Sequence, residues 1–380
     1  MTAPRGSERP PPPRLDPEQV AAATLACLTD MTTARLRALV TRWHGPIGAL
    51  AAVRDGNGGS ALQAAVPPGE MAACVALVRR WQSEARSPRV PELLVDRRTH
   101  VFVRGREHYP VADDDLPGLP EVLLAEGDAA DAFARPRVAV VGTRAATPHG
   151  LADAREVGAV LADAGICVVS GLAIGIDAAA HEGALDAGGA VVGVVGTGLD
   201  VVYPRRHGAL FERVRRQGLL VSEFGYGMQP RRESFPIRNR IIAALADVVV
   251  VVEATAKGGA RITAERAVEY GRPVLAIPGS RRNPAAAGTN ALIADGAEPL
   301  LEPADVLLAL GLTPGARGHA TRPEPQGHAA VVLRACGGEA ATVDQLVSRT
   351  GLDPDHVAVA VRELERAGWI ERAHGACWPR

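Results

Sequence analysis

Phe235-Pro-Ile-Arg-Asn-Arg240 sets an aromatic ring, an amide and two guanidinium groups side by side at what reads as a helix start. An aromatic ring can stack on a nucleobase, while guanidinium groups grip phosphate oxygens, so the set can stack a base and grip the phosphates of a single strand. Pro236 fits the first helical turn, and Arg238 and Arg240 cannot both face a core. A purely structural reading fits the same residues: Phe235 in the core, the arginines paired with Glu223 or Glu253. Downstream, Lys257-Gly-Gly-Ala-Arg-Ile-Thr263 follows the apolar run Val248–Val252 and opens another helix, whose amides could form an anion nest. Between Tyr203 and Arg282 there are fifteen Lys/Arg against seven Asp/Glu, in a chain whose formal net charge is -1. That local excess points to a polyanion.

Further candidates sit where other β-branched runs end. Gly142, with Thr143 and Arg144 after it, makes a glycine turn at which a phosphate could approach Arg144; a glycine needed only for the turn is the alternative. Gly171 follows Ser170, and Asp177 and His181 come one helical turn apart, a pairing that invites a general-base reading. A helix cap for Asp177 and a packing role for His181 fit better. No serine or cysteine nucleophile with supporting context accompanies them. Tyr203-Pro-Arg-Arg-His207 joins another strand end to a basic helix start, where arginines oppose the helix dipole unless an anion compensates or they point into solvent. Neither G-x-G-x-x-G after the first of these strands nor G-x-x-x-x-G-K-[ST] anywhere occurs, which argues against dinucleotide binding and ATP hydrolysis.

These positions require a scaffold that brings strand ends together. From Arg137 onward, short runs (Val138–Val141, Cys167–Ser170, Val191–Val195, Leu219–Ser222, Val248–Val252, Val274–Ile277) alternate with helical patterns. That alternation predicts an α/β core, a doubly wound parallel sheet of extended Rossmann-like type, with ligands at the strands' carboxyl ends. Residues 1–15 are expected to be a disordered tail and 16–95 a small helical domain of helix-hairpin-helix or SAM-like character. The core should span 96–312, with one short strand near Val122–Leu124. A Gly/Pro-rich linker follows at 313–327. The tail, 328–380, has the helix order and the phrase Leu364-Glu-Arg-Ala-Gly-Trp-Ile370 of a winged helix. Its presumed recognition helix, Pro354 to Ala367, mixes Arg362 and Arg366 with Asp355, Glu363 and Glu365 and lacks a basic face.

At 380 residues the chain is long enough for two or three domains. Its five cysteines are scattered without a CxxC pair or Cys/His ligand spacing, so neither a metal site nor a disulfide framework is expected, and a reducing cytoplasm fits. No segment has the apolar length of a membrane span. Lys257 is the only lysine; a GC-rich genome explains the arginine usage, so only the placement of arginines carries weight.

Together the motifs resemble DNA-processing protein A, the DprA/Smf family, over roughly Tyr109 to Leu300. The resemblance rests on VAVVGTR (138–144), VVSGLAIGIDAAAH (168–181), GTGLDVVYP (196–204), LLVSEF (219–224), FPIRNRIIAALAD (235–247), VVEA (251–254), RITAERAVEYGR (261–272), AIPG (276–279) and GTNALIADGA (288–297), in the family's order. It implies a non-enzymatic protein without cofactors that binds single-stranded DNA, forms a homodimer and loads the RecA recombinase in natural transformation. By the same resemblance, Arg144, Phe235, Arg238, Asn239 and Arg240 are the leading DNA contacts, with Gly142, Gly171 and Lys257 second. Two departures stand out: the family often has Ser-Gly-Ser where this chain has Gly258-Gly-Ala260, and commonly serine at Thr143. The alternative function is a nucleoside-monophosphate phosphoribohydrolase-like enzyme, whose Gly-Gly-x-x-Thr-x-x-Glu loop is loosely matched by Gly258-Gly-Ala-Arg-Ile-Thr263 and Glu265.

Overall fold

The computed structural model describes residues 13–59, 71–111, 113, 115–129, 131–312, 325–337, 340–366, 369–373 and 376–379. Most of the expected tail and linker lies outside them. The chain divides into two compact units, 1–313 and 314–380.

Among the described residues, the first unit opens with helices α1 (Pro17–Ala26), α2 (Thr33–Arg42), α3 (Pro46–Arg54), α4 (Met71–Ala85) and α5 (Arg89–Asp96). Local sequence starts them cleanly. Asp16 and Gln19 form a capping box on α1, Thr32 caps α2, and Pro46 stands at the start of α3. Then come β1 (His100–Val103), β2 (Val122–Glu126), β3 (Arg137–Val141), α6 (Pro148–Asp163), β4 (Cys167–Ser170), α7 (Ile176–Asp186), β5 (Val191–Val194), α8 (Gly208–Gln217) and β6 (Leu219–Ser222). The unit continues through α9 (Ser234–Leu245), β7 (Val248–Val251), α10 (Gly259–Glu269), β8 (Val274–Ala276), α11 (Ala287–Ala294), β9 (Glu298–Pro299) and α12 (Asp305–Ala309).

The nine strands form one sheet in the order β1-β2-β6-β5-β4-β3-β7-β8-β9. From β6 to β9 neighbours are parallel, whereas β1 and β2 join antiparallel at one edge. The parallel strands are buried on both faces, which is why they read as unbroken valine runs. Alternate residues face opposite layers. Val138, Val140, Val248 and Val250 join the cluster with α6, α7, α8 and the N-terminal helices, while Ala139, Val141, Val249 and Val251 join the one with α9 and α10. Burying each such valine contributes on the order of 1.5–3 kcal/mol.

Leu25, Leu39 and Trp81 of the helical segment expected over 16–95 share a hydrophobic cluster with Val138 and Val140 of β3. The strand at Val122–Leu124 is present and longer, and β1, too short and too charged at its flanks to announce itself, pairs with it.

The second unit carries α13 (Gly327–Cys336), β10 (Ala341–Thr342), α14 (Val343–Thr350), α15 (Pro354–Arg366), β11 (Ile370–Ala373) and β12 (Ala376–Pro379). Its strands order as β10-β12-β11 over a core of Val332, Leu346, Val361 and Leu364. This is the expected winged helix.

Candidate nucleic-acid interface

The chain leaves β3 toward β4, β5 and β6 on one side and later adds β7, β8 and β9 on the other, so the topological switch lies between β3 and β7. In open α/β sheets a ligand crevice forms there. In this protein the crevice is closed by the chain itself. The Thr143 amide donates to the Glu253 carbonyl at 2.7 Å, while the Glu253 carboxylate accepts from the Thr147 amide at 2.9 Å and the Thr147 hydroxyl at 2.6 Å. Thr147 is the N-cap of α6, and a methyl group on Gly150 would overlap the Glu253 side chain. A protein carboxylate thus sits at the helix start where a dinucleotide pyrophosphate would otherwise bind.

Above this floor the outer surface is aromatic and cationic. Phe235, half-buried in the first turn of α9, lies under the Arg144 guanidinium, with the guanidinium carbon 5.3 Å from the ring centroid. Tyr203 approaches the same ring, centroid to centroid 5.2 Å at 33°. Gly196, after β5, makes room for it: a methyl group there would come within 3.0 Å of the Phe235 ring. Arg144 is exposed, so a cation and two π faces are presented together.

Arg238 takes a different place from the one expected of it. It is 3% exposed, and its Nη1 donates to the Gly171 carbonyl at 2.6 Å and also to the Val194 carbonyl. It therefore ties the ends of β4 and β5 together from inside. Burial lowers its pKa to about 10, with Asp177 the favourable charge nearby. Gly171 is explained by the same contact, since a methyl group there would overlap the guanidinium. Gly142 is also filled around: a methyl group would meet the Ile176 side chain at 2.5 Å and the Glu253 carbonyl at 2.8 Å.

Arg240 is likewise engaged, 2.6 Å from Glu223 Oε2, as the structural reading of the motif allowed. Asn239 donates to the Gly259 carbonyl at 3.2 Å, joining α9 to the start of α10. Lys257 is exposed beside Gly258, the N-cap of α10, which has no side-chain cap. The structure thus brings Arg144 and Phe235 together on the surface, keeps Lys257 exposed, and withdraws Arg238, Arg240 and Gly171 into the scaffold.

Asp177 is not the N-cap of α7, a place held by Gly175; from the first turn it accepts the Gly171 amide at 3.1 Å and the Ala173 amide at 3.4 Å. Burial raises its pKa. His181 is fully buried, as a packing residue would be, with Nε2 3.3 Å from the Val192 carbonyl. Burial pushes its pKa down to about 4. Tyr203 entered the motif reading only as the start of Tyr203-Pro-Arg-Arg-His207, with no role for its ring. Its signal was present, an aromatic one proline ahead of the basic stretch Arg205–His207, but nothing local says that it meets Phe235. Among the described residues, no group of three or more His, Cys, Asp and Glu could hold a metal, and no helix is long and apolar enough to cross a membrane.

Comparison with known proteins assigns the scaffold. Residues 100–311 match the family DNA recombination-mediator protein A, and 317–376 match the DprA winged helix domain. Protein Smf of Escherichia coli is 38% identical over 290 residues, 73% of this chain and 76% of the relative. Protein Smf of Synechocystis is 35% identical over 309 residues, 72% of this chain and 78% of the relative. The X-ray structure of DNA processing protein A from Streptococcus pneumoniae superposes with a TM-score of 0.62 at 31% identity, covering 78% of this chain and 98% of that one. With the family model matched over more than half of its length and relatives above 30% identity covered to two thirds or more, the chain belongs to the DNA recombination-mediator protein A family.

Proposed function

We propose that this chain is a sequence-tolerant single-stranded DNA-binding protein that protects a strand and loads the RecA recombinase onto it, acting as a homodimer in natural transformation or a related recombination task. The observation that carries the reading is the exposed Arg144 guanidinium over the Phe235 ring at the strand ends. A base can stack on that platform whatever its identity, while the arginine neutralises the adjoining phosphate. Lys257 and the uncapped amides at the start of α10 offer a second phosphate contact on the same end of the sheet. The family's description as a recombination mediator supports the hand-over of the strand.

The phosphoribohydrolase alternative loses support from two sides. Glu253 fills the helix start at the switch point, and in the loosely matching loop Thr263 is buried while Glu265 is exposed, so the two do not face one substrate. The test is a fluorescence-anisotropy titration of labelled oligo-dT, with a duplex competitor, against the wild type and an Arg144→Ala/Phe235→Ala variant. Preference for the single strand, lost in the variant, is the expected result; equal affinity of the two proteins would overturn the reading. Release of free base from a nucleoside monophosphate would restore the enzyme.

A further inference from the structure

Tyr203 stands beside the Arg144–Phe235 pair. Tyr203 is 40% exposed although its side chain is large and largely apolar. It follows the β5 loop, which closes against Phe235 through Gly196. Immediately after it, Arg205 and Arg206 are both exposed, in a short 3-10 turn that leads into α8, and neither has an acidic partner among the described residues. Guanidinium groups at the start of a helix face the positive end of its dipole, so the arrangement costs stability unless an anion comes between them. The turn is nevertheless fixed: His207 Nδ1 lies 3.1 Å from the Leu172 carbonyl, in the loop after β4. An exposed aromatic, two unpaired cations and an anchored backbone are thus gathered next to a first base platform.

We propose that Tyr203 is a second base-stacking platform, and that Arg205 and Arg206 take the phosphates of the nucleotide that lies on it. The inference rests on the single-strand reading of the core and deepens it. The strand does not meet one isolated contact at Phe235; it continues across the loop after β5 toward the start of α8, and the core reads two successive bases by their π faces. Because the two rings are tilted by 33° and not parallel, the successive bases are splayed relative to their stacking in a duplex, which adds to the preference for a single strand.

The test uses the full-length chain in anisotropy titrations against labelled oligo-dT and against a strand of equal length with an abasic tract, each at several salt concentrations. Tyr203→Ala and Tyr203→Leu are expected to weaken oligo-dT binding about tenfold, while Tyr203→Phe stays close to the wild type. On the abasic strand the wild type and the Tyr203 variants should bind alike. An Arg205→Ala/Arg206→Ala variant should lower the salt slope by about 1.4 on both strands. The leucine variant keeps an apolar group against Phe235, so a folding defect confined to the alanine variant would not decide the outcome. If both Tyr203→Ala and Tyr203→Leu bind oligo-dT like the wild type, or weaken the abasic strand as much as oligo-dT, the second platform is wrong while the single-strand reading stands. If the wild type binds neither strand, that reading itself fails.

Discussion

Arg240 Nη2 lies 2.6 Å from Glu223 Oε2, and the same oxygen accepts the Thr33 hydroxyl at 2.7 Å, so an arginine of the α9 motif is bound into the contact with α2. The pair is nearly closed to water, with side chains 12% and 4% exposed. Glu223→Ala leaves a buried guanidinium without its counter-charge, which should cost about 3 kcal/mol in a urea unfolding titration. Arg240→Ala should cost a similar amount. Arg240 Nη1 and Glu223 Oε1 have no hydrogen-bond partner among the described residues, so the pair is only partly satisfied. Replacing both residues by leucine should therefore recover most of the loss. Such a pattern would mark Arg240 as a strut, and the salt dependence of DNA binding should be unchanged in the folded double variant.

Arg238 makes a sharper case. It holds the Gly171 and Val194 carbonyls together and is the main favourable charge near buried Asp177. Arg238→Ala should destabilise the first unit by about 3–5 kcal/mol, because an uncompensated buried carboxylate remains. Arg238→Lys should rescue part of the loss, since both carbonyls accept from the single Nη1 and one ammonium carries donors enough for both. Gly171→Ala should mimic the loss by pushing the guanidinium out of place. Thermal melts of the three variants check this; a Gly171→Ala protein as stable as the wild type would remove the packing account.

The contrast between Arg144 and Arg238 marks how far the chain could be read without coordinates. The sheet was legible because strands buried on both faces must be runs of Val, Ile and Leu, and Val248–Val251 has no other physical explanation. The winged helix was legible for a similar reason, as α15 alternates buried Val357, Ala360, Val361 and Leu364 with charge. The division of labour among arginines was not legible. Arg144, Arg238 and Arg240 carry the same group, and what separates them is non-local: Gly171 and Asp177 receive one, Glu223 and Thr33 another, and only Arg144 is left on the surface. The fused core has the same cause, because the apolar face of α1 announces burial but not that β3 lies in the same cluster.

Burial of His181 ties stability to pH. Its pKa falls from 6.5 to about 4 because the ring is desolvated, so above pH 6.5 it is neutral in both folded and unfolded chains and contributes no pH dependence. Between pH 6.5 and about 4 the unfolded chain takes up a proton that the folded chain refuses, and stability falls as pH falls. Across that window the loss from this residue reaches about 3 kcal/mol. Asp177, whose pKa is raised by burial, works in the opposite direction and blunts the decline. His181→Gln should therefore flatten the acid limb of a stability-versus-pH curve measured by urea unfolding, whatever its effect at neutral pH. An unchanged acid limb would mean that the imidazole is protonated in the folded protein.

Charge and stacking at the interface should separate in salt titrations of single-strand binding. Arg144 offers a cation to a phosphate, so Arg144→Ala should lower the magnitude of the slope of log K against log salt by about 0.7, the share of one contact on a single strand. Lys257→Ala should lower it by a similar amount. Phe235 carries no charge. Phe235→Leu should weaken binding about tenfold at every salt concentration and leave the slope alone, because it removes a π face while keeping an apolar group beneath Arg144. If Phe235→Leu changed the slope as much as Arg144→Ala, the ring would be acting only by positioning the guanidinium, and the base would have to stack elsewhere.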